Sequence, residues 1–210
     1  MPAGGFKTFT AGAVLTASDV NAYLMQGVLV FSSEAARNAA ISAPQEGMTA
    51  MITTPSTPAA TGVVTAVPGT ILTAYNGSAW VCLSEVGAYT ANSGSTTSST
   101  FTATLSGTPG TNPSVTLSTG TTALVTISAT MAISVASNAF VGFAVSGATT
   151  LAASTSLSAI STTTTNMTVS LTQIVTGLTA GTNTFTLQYL VNPSQALTVT
   201  DRRIIVRGLL

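Results

Sequence analysis

The chain has 210 residues, in which five Lys and Arg balance five Asp and Glu, with no histidine and a single cysteine, Cys82. Neutral charge argues against a nucleic-acid partner, which needs a cationic surface to displace counterions. One cysteine excludes an intrachain disulfide framework, and the missing imidazole removes Ser-His-Asp and Cys-His nucleophiles together with histidine metal sites.

From the N-terminus, "VLTASDVNAYLMQG" (residues 14–27) has helix-start chemistry: Thr16 as N-cap, Asp19 three residues on, and Leu15 with Val20 at the positions of a hydrophobic staple. A short helix over residues 17–26 is expected, with Val20, Tyr23 and Leu24 on its apolar face and Gly27 at its end. The same segment, with Lys7 alone before it and its apolar stretch cut by Thr16 and Asp19, does not read as a signal peptide. "VLVF" (28–31) is a buried strand, and "SSEAARNAAIS" is a second short helix, capped by Ser33, favoured by Glu34 in its first turn and closed by Pro44.

A strand near residues 49–52, a Pro- and Thr-rich loop and the hairpin "TILTAYNGSAWVCL" (70–83) follow. Asn76-Gly77 is a strong turn signal, because both turn positions favour positive φ. A two-residue loop sets Tyr75 opposite Ser78 and Thr73 opposite Trp80, and puts Ile71, Tyr75, Trp80 and Cys82 on one face. Val20, Tyr23, Leu24, Tyr75 and Trp80 form the expected core of this module. Trp80 reads as its centre, the functional alternative being an exposed sugar-stacking ring. Cys82 reads as a small buried apolar residue, the alternative being a reactive thiol.

Residues 84–100, "SEVGAYTANSGSTTSST", read as a Gly-, Ser- and Thr-rich linker. Beyond them "FTATL", "SVTLS", "ALVTISATMAIS", "AFVGFAVSG", "NMTVSLTQI", "NTFTLQYLV" and "ALTVTDRRIIVRGL" all read as strands, separated by turn residues, as in an antiparallel β-sandwich or jelly roll. The longest apolar run, residues 139–145, is far below the roughly 20 residues of a spanning helix, so no membrane insertion is expected. The fold class is therefore mainly β: a small α+β module of two short helices and a hairpin (1–83), the linker (84–100) and the sandwich (101–210).

The tail holds the only charges after Glu85. As a strand it points Arg202, Ile204 and Val206 one way and Asp201, Arg203, Ile205 and Arg207 the other. The Ile204 and Val206 side is core, with Arg202 at the wetter end. The other side is either an ordinary solvated face or a subunit interface; we favour the interface, because these are the only charges in a domain of this size.

No P-loop or dinucleotide fingerprint is present, and the carboxylates Asp19, Glu34, Glu46, Glu85 and Asp201 are scattered rather than paired. Neither catalysis nor a cofactor or metal is expected. "FTAGAVLTASDVNAYLMQGVLVF", "EAARNAAISAPQEGMTAMI" and "YNGSAW" together resemble the N-terminal region of minor structural and tail-fibre proteins of tailed bacteriophages, especially those of actinobacterial hosts, over residues 6–81. The usual version sets its hairpin soon after the Gly-Met strand, whereas here residues 54–68 are inserted. "GLTAGTNTFTLQYLV" and "DRRIIVRGL" are similar to the β-domains that end such proteins, and more loosely to trimeric jelly rolls of the C1q and tumour-necrosis-factor type. What this implies is a non-enzymatic virion component, assembled in the host cytoplasm. It would act as a homotrimeric tail or baseplate fibre or knob that contacts other virion proteins through residues 1–83, the alternative being a capsid-attached head fibre or decoration protein. A host-surface glycan is the partner that a receptor-binding elaboration would take.

Overall fold

The computed structural model describes residues 12–14, 16 and 28–210; the expected first helix, with Val20, Tyr23 and Leu24, lies outside them. β1 (Leu29–Phe31) and β2 (Thr49–Ile52) are parallel, and α1 (Glu34–Ala40) makes the crossover between them. Ser33 caps α1 as its position required: its backbone is extended and its hydroxyl accepts the Ala36 N–H at 3.1 Å.

The inserted segment then departs from expectation. It holds two short strands, β3 (Ala59–Thr61) and β4 (Val64–Ala66), neither of which joins the small sheet. β5 (Ile71–Tyr75) and β6 (Trp80–Cys82) complete that sheet in the order β1, β2, β5, β6. Their hairpin register differs from the expected one by two residues: Tyr75 faces Trp80 and Thr73 faces Cys82. The Asn76 side chain accepts from the N–H groups of Ser78 and Ala79 and opens the turn to four residues, with Gly77 at φ +89°. A slip of two keeps every side chain on its face, so Tyr75, Trp80 and Cys82 still share one.

The rest of the chain forms a mainly antiparallel sandwich. Its strands are β7 (Val86–Thr90), β8 (Gly94–Thr96), β9 (Ser106–Gly107), β10 (Ser114–Thr119), β11 (Thr122–Ile133), β12 (Ala139–Gly147), β13 (Ser158–Ser161), β14 (Met167–Thr176), β15 (Gly181–Val191) and β16 (Leu197–Leu209). One sheet runs β13, β12, β15, β10, β3; the other runs β14, β11, β16, β7, β4, with β8 on β16 and β9 on β8. The inserted hairpin is thus a strap that adds an edge strand to each sheet, β3 on β10 and β4 on β7.

Two expectations need correction. Residues 84–100 are not a free linker, because β7 and β8 both pair with β16. Their small side chains, which suggested flexibility, instead permit close approach: a Cβ on Gly94 would lie 2.7 Å from Pro109 and 2.9 Å from Leu105. "FTATL" is not a regular strand; Thr102 makes a single bridge to Tyr189.

Alternation fixes the core. In β11 the side chains of Val125, Ile127, Ala129 and Met131 point inward and are buried, against Phe143 of β12 and Phe185, Leu187 and Tyr189 of β15. The opposite side chains form hydroxyl rungs instead, Thr126 to Thr172 at 2.9 Å and Thr130 to Thr168 at 2.8 Å. Ile52, Ile71 and Cys82 belong to this same core, so residues on both sides of the expected boundary at 83 pack together. β6 lies so close to β16 that a Cβ on Gly208 would sit 2.6 Å from Val81 and 2.8 Å from the Cys82 carbonyl. Among the described residues no helix is long and apolar enough to cross a membrane.

Candidate functional site

The small sheet is organised around Trp80. Tyr75 meets it with ring centroids 5.5 Å apart, and the guanidinium of Arg37, delivered by α1, lies 4.4 Å from the ring centroid. Arg37 is buried although it is charged; Nη1 donates to Thr73 Oγ1 at 3.2 Å, while Nε and Nη2 both donate to Asn38 Oδ1. Burial lowers its pKa from the usual arginine value, and Glu34 opposes that shift. Trp80 and Tyr75 therefore sit in a small core as expected, together with Ile41 and Ala50, and Arg37 occupies the ring face that a sugar would need.

Beside Arg37 is a cavity of about 200 Å³ lined by Glu34, Arg37, Thr73, Trp80, Cys82 and Ser118. Its polar groups are already occupied. The Glu34 carboxylate accepts from the N–H groups of Ser56 and Thr57 and from the Ser56 hydroxyl, which anchors the strap at its start. Burial alone would raise the Glu34 pKa, but these donors together hold it below the usual carboxylate value. Burial pushes the Cys82 thiol up, which keeps it neutral and favours the small apolar role over the reactive one.

The tail gives the second cluster. Leu197 and Val199 point inward, and so do Arg202, Ile204 and Val206, although the two sets differ by one in phase. The extra residue is taken up at a bulge opposite Ala129, between the pairs Ser128 with Arg203 and Thr130 with Thr200, where Asp201 has φ +50°. This corrects the placing of Arg202 at a wet strand end: it is fully buried. Nη1 donates to Asn112 Oδ1 at 3.3 Å and to the Tyr189 hydroxyl at 3.4 Å, and Nη2 donates to the carbonyls of Asn92 and Pro109. Tyr189 in turn donates to Asn112 at 2.8 Å. Its pKa is pushed up to about 12, mainly by burial, with Arg202 pulling the other way. The phenol is therefore neutral, and Nη1 and Nη2 of the cation are solvated by carbonyl, amide and hydroxyl dipoles, while Nε is buried with no hydrogen-bond partner among the described residues. Alternation already pointed Arg202 to the core side; the out-of-phase apolar pair Leu197 and Val199 was the sequence signal that the strand continues inward past it.

Asp201, Arg203, Ile205 and Arg207 do share the outer face. Asp201 accepts from the Tyr89 hydroxyl at 2.8 Å, a bond that raises the tyrosine pKa. Arg203 lies 5.0 Å from the Tyr89 ring centroid. Ile205 faces Gly87, and Arg207 faces Leu124 at the other end of the strand. Val64, Ala66, Gly87, Tyr89, Arg203 and Ile205 line a groove of about 310 Å³ there, open because Gly87 has no side chain. Among the described residues no group of three His, Cys, Asp or Glu could hold a metal ion.

No family model matches the chain, and no curated protein is significantly similar to it.

Proposed function

We propose that this chain is a non-enzymatic structural component of a tailed-phage particle, a tail or baseplate fibre or knob assembled as a homotrimer. The observation that carries it is the outer face of the sheet containing β16. Thr126, Ser128, Thr130, Thr168, Ser170 and Thr172 supply hydroxyls there, charge is confined to Asp201, Arg203 and Arg207 on β16, and Val64 and Ile174 are exposed. Folded monomers depend on net charge to stay apart, so such a face suits burial between copies. Asp201, Arg203, Ile205 and Arg207 lie at the subunit contact in this proposal, where charge contributes specificity more than affinity.

The resemblance over residues 6–81 supports the virion assignment and a docking role for the small sheet. The absence of histidine from the sequence supports a role without bond-making chemistry. The test has two parts. Light scattering on the purified chain should give a mass near three times 20.9 kDa, and antibody labelling of intact particles should mark the tail tip. A monodisperse monomer, or particles without the protein, would overturn the proposal.

A further inference from the structure

We infer that the copies meet head to tail: the open edge formed by β13 and β14 of one sandwich seats in the groove beside β4 of the next. This rests on the homotrimer proposed above and names its contact. A closed ring of three uses two different patches on each subunit, whereas a twofold pair uses one patch twice. The sandwich presents two patches, at its opposite edges.

At the first edge β13 and β14 are the outermost strands of their sheets. β13 has four residues against ten in β14, so Met167, Val169 and Leu171 on the inner side of β14 are only partly covered. On the two outer faces Ile160 is 46% exposed and Ile174 60%. β14 carries no charge and no proline, and it pairs with β11 over ten positions without a bulge. Free edges normally carry a lysine, a proline or a bulge that discourages another chain; this edge has none. A ten-residue strand is about 33 Å long and packed sheets are about 10 Å apart, so the edge itself spans on the order of 300 Å². A standard interface of roughly 800 Å² per partner therefore also takes in the outer side chains beside it, Ile160 and Ile174 among them.

At the second edge the tip of the strap exposes Val63 and Val64, at 55% and 56%, beside the groove floored by Ala66, Gly87 and Ile205. The two patches also match in polarity. Arg203 on the groove rim has no hydrogen-bond acceptor among the described residues, while the free edge of β14 presents backbone carbonyls with no strand beside them. Apolar side chains fill the groove, and guanidinium donors meet strand-edge acceptors. A second copy of the chain supplies both.

The test uses the full chain and light scattering. Val64→Lys damages the groove, and Met167→Asp with Ile174→Asp damages the edge; circular dichroism checks that each variant is folded. Each alone should fall to one third of the wild-type mass. An equimolar mixture should rise to two thirds, because one intact edge meets one intact groove and the ring cannot close. Folded variants that remain trimeric, or a mixture that stays monomeric, would overturn the inference while leaving the homotrimer standing. A monomeric wild type would overturn both. Should a variant fail to fold, Val64→Cys with Ile174→Cys and a bifunctional thiol reagent of roughly 10 Å reach replaces it. Covalent dimers and trimers are expected, and their absence overturns the contact; Cys82 is buried and does not compete.

Discussion

Arg37 in the small sheet and Arg202 in the sandwich are 5% and 0% exposed, and each has an aromatic ring near its guanidinium. They differ in where their partners come from. Arg37, on α1, bonds to its neighbour Asn38 and to Thr73 of β5, and it borders a cavity of about 200 Å³. Arg202 is held by Tyr189 of β15 and by three residues outside regular strands, Asn92 before β8 and Pro109 and Asn112 between β9 and β10. Arg37 covers a ring; Arg202 is the point around which a segment without regular structure is ordered. A buried cation held by dipoles is costly to strip of its partners, and so are the partners left behind. The difference teaches that the sandwich depends more on its arginine than the small sheet does, and that the two regions are one packing unit.

The largest effect should come from separating them. The fragment 84–210 loses both strap strands and the cover given by Ile52, Ile71 and Cys82. It is expected to show no cooperative thermal transition by circular dichroism. A transition within a few degrees of the full chain would break the single-unit view.

Next comes Arg202→Ala, which leaves a void and strands the acceptors of Asn112, Asn92 and Pro109. A loss of about 3–5 kcal/mol is expected, roughly 10 °C in melting temperature for a chain of this size. Arg202→Met, which fills more of the volume, should lose less. Arg37→Ala should cost about 1–2 kcal/mol through the ring contact and the Thr73 bond. It should also shift the emission of the single tryptophan to longer wavelength as water reaches Trp80. If Arg37→Ala lowers the melting temperature as far as Arg202→Ala does, the contrast between the two regions is wrong.

The smallest effect concerns pH. The folded pKa of Glu34 is depressed, so its contribution is present above the usual carboxylate pKa and is lost as pH falls through the folded value. Melting temperature should therefore fall further between pH 6 and pH 3 in the wild type than in Glu34→Gln. The gap should be worth a few tenths of a kcal/mol, since the group is half-exposed and screened by solvent. Parallel pH curves for the two proteins would remove Glu34 as the anchor of the strap.

Sequence alone determined the elements whose signal is local. Strand patterning identified β11, β15 and β16, and alternation assigned the faces of the second half of β16, because a pleated strand sends successive side chains to opposite sides whatever it pairs with. Ser33 announced α1 because capping needs only a hydroxyl three residues before an N–H, and the shared face of Tyr75 and Trp80 survived the hairpin slip because the shift was even. Asp201, Arg203, Ile205 and Arg207 were grouped correctly on one face for the same reason. Tertiary structure decided what depends on distant partners. β3, β4 and β8 are three residues each, too short to show a period, and exist because β10, β7 and β16 offer them free ladder positions. Glycine in β7 and β8 suggested slack, whereas Gly94 marks a close approach and Gly87 leaves a groove open. Alternation had put Arg202 on the core side; it is buried rather than at a wet strand end because the bulge lets the strand continue past it with Val199 and Leu197 also inward, and only the carbonyls gathered from residues 92–112 make that position tolerable for a charge.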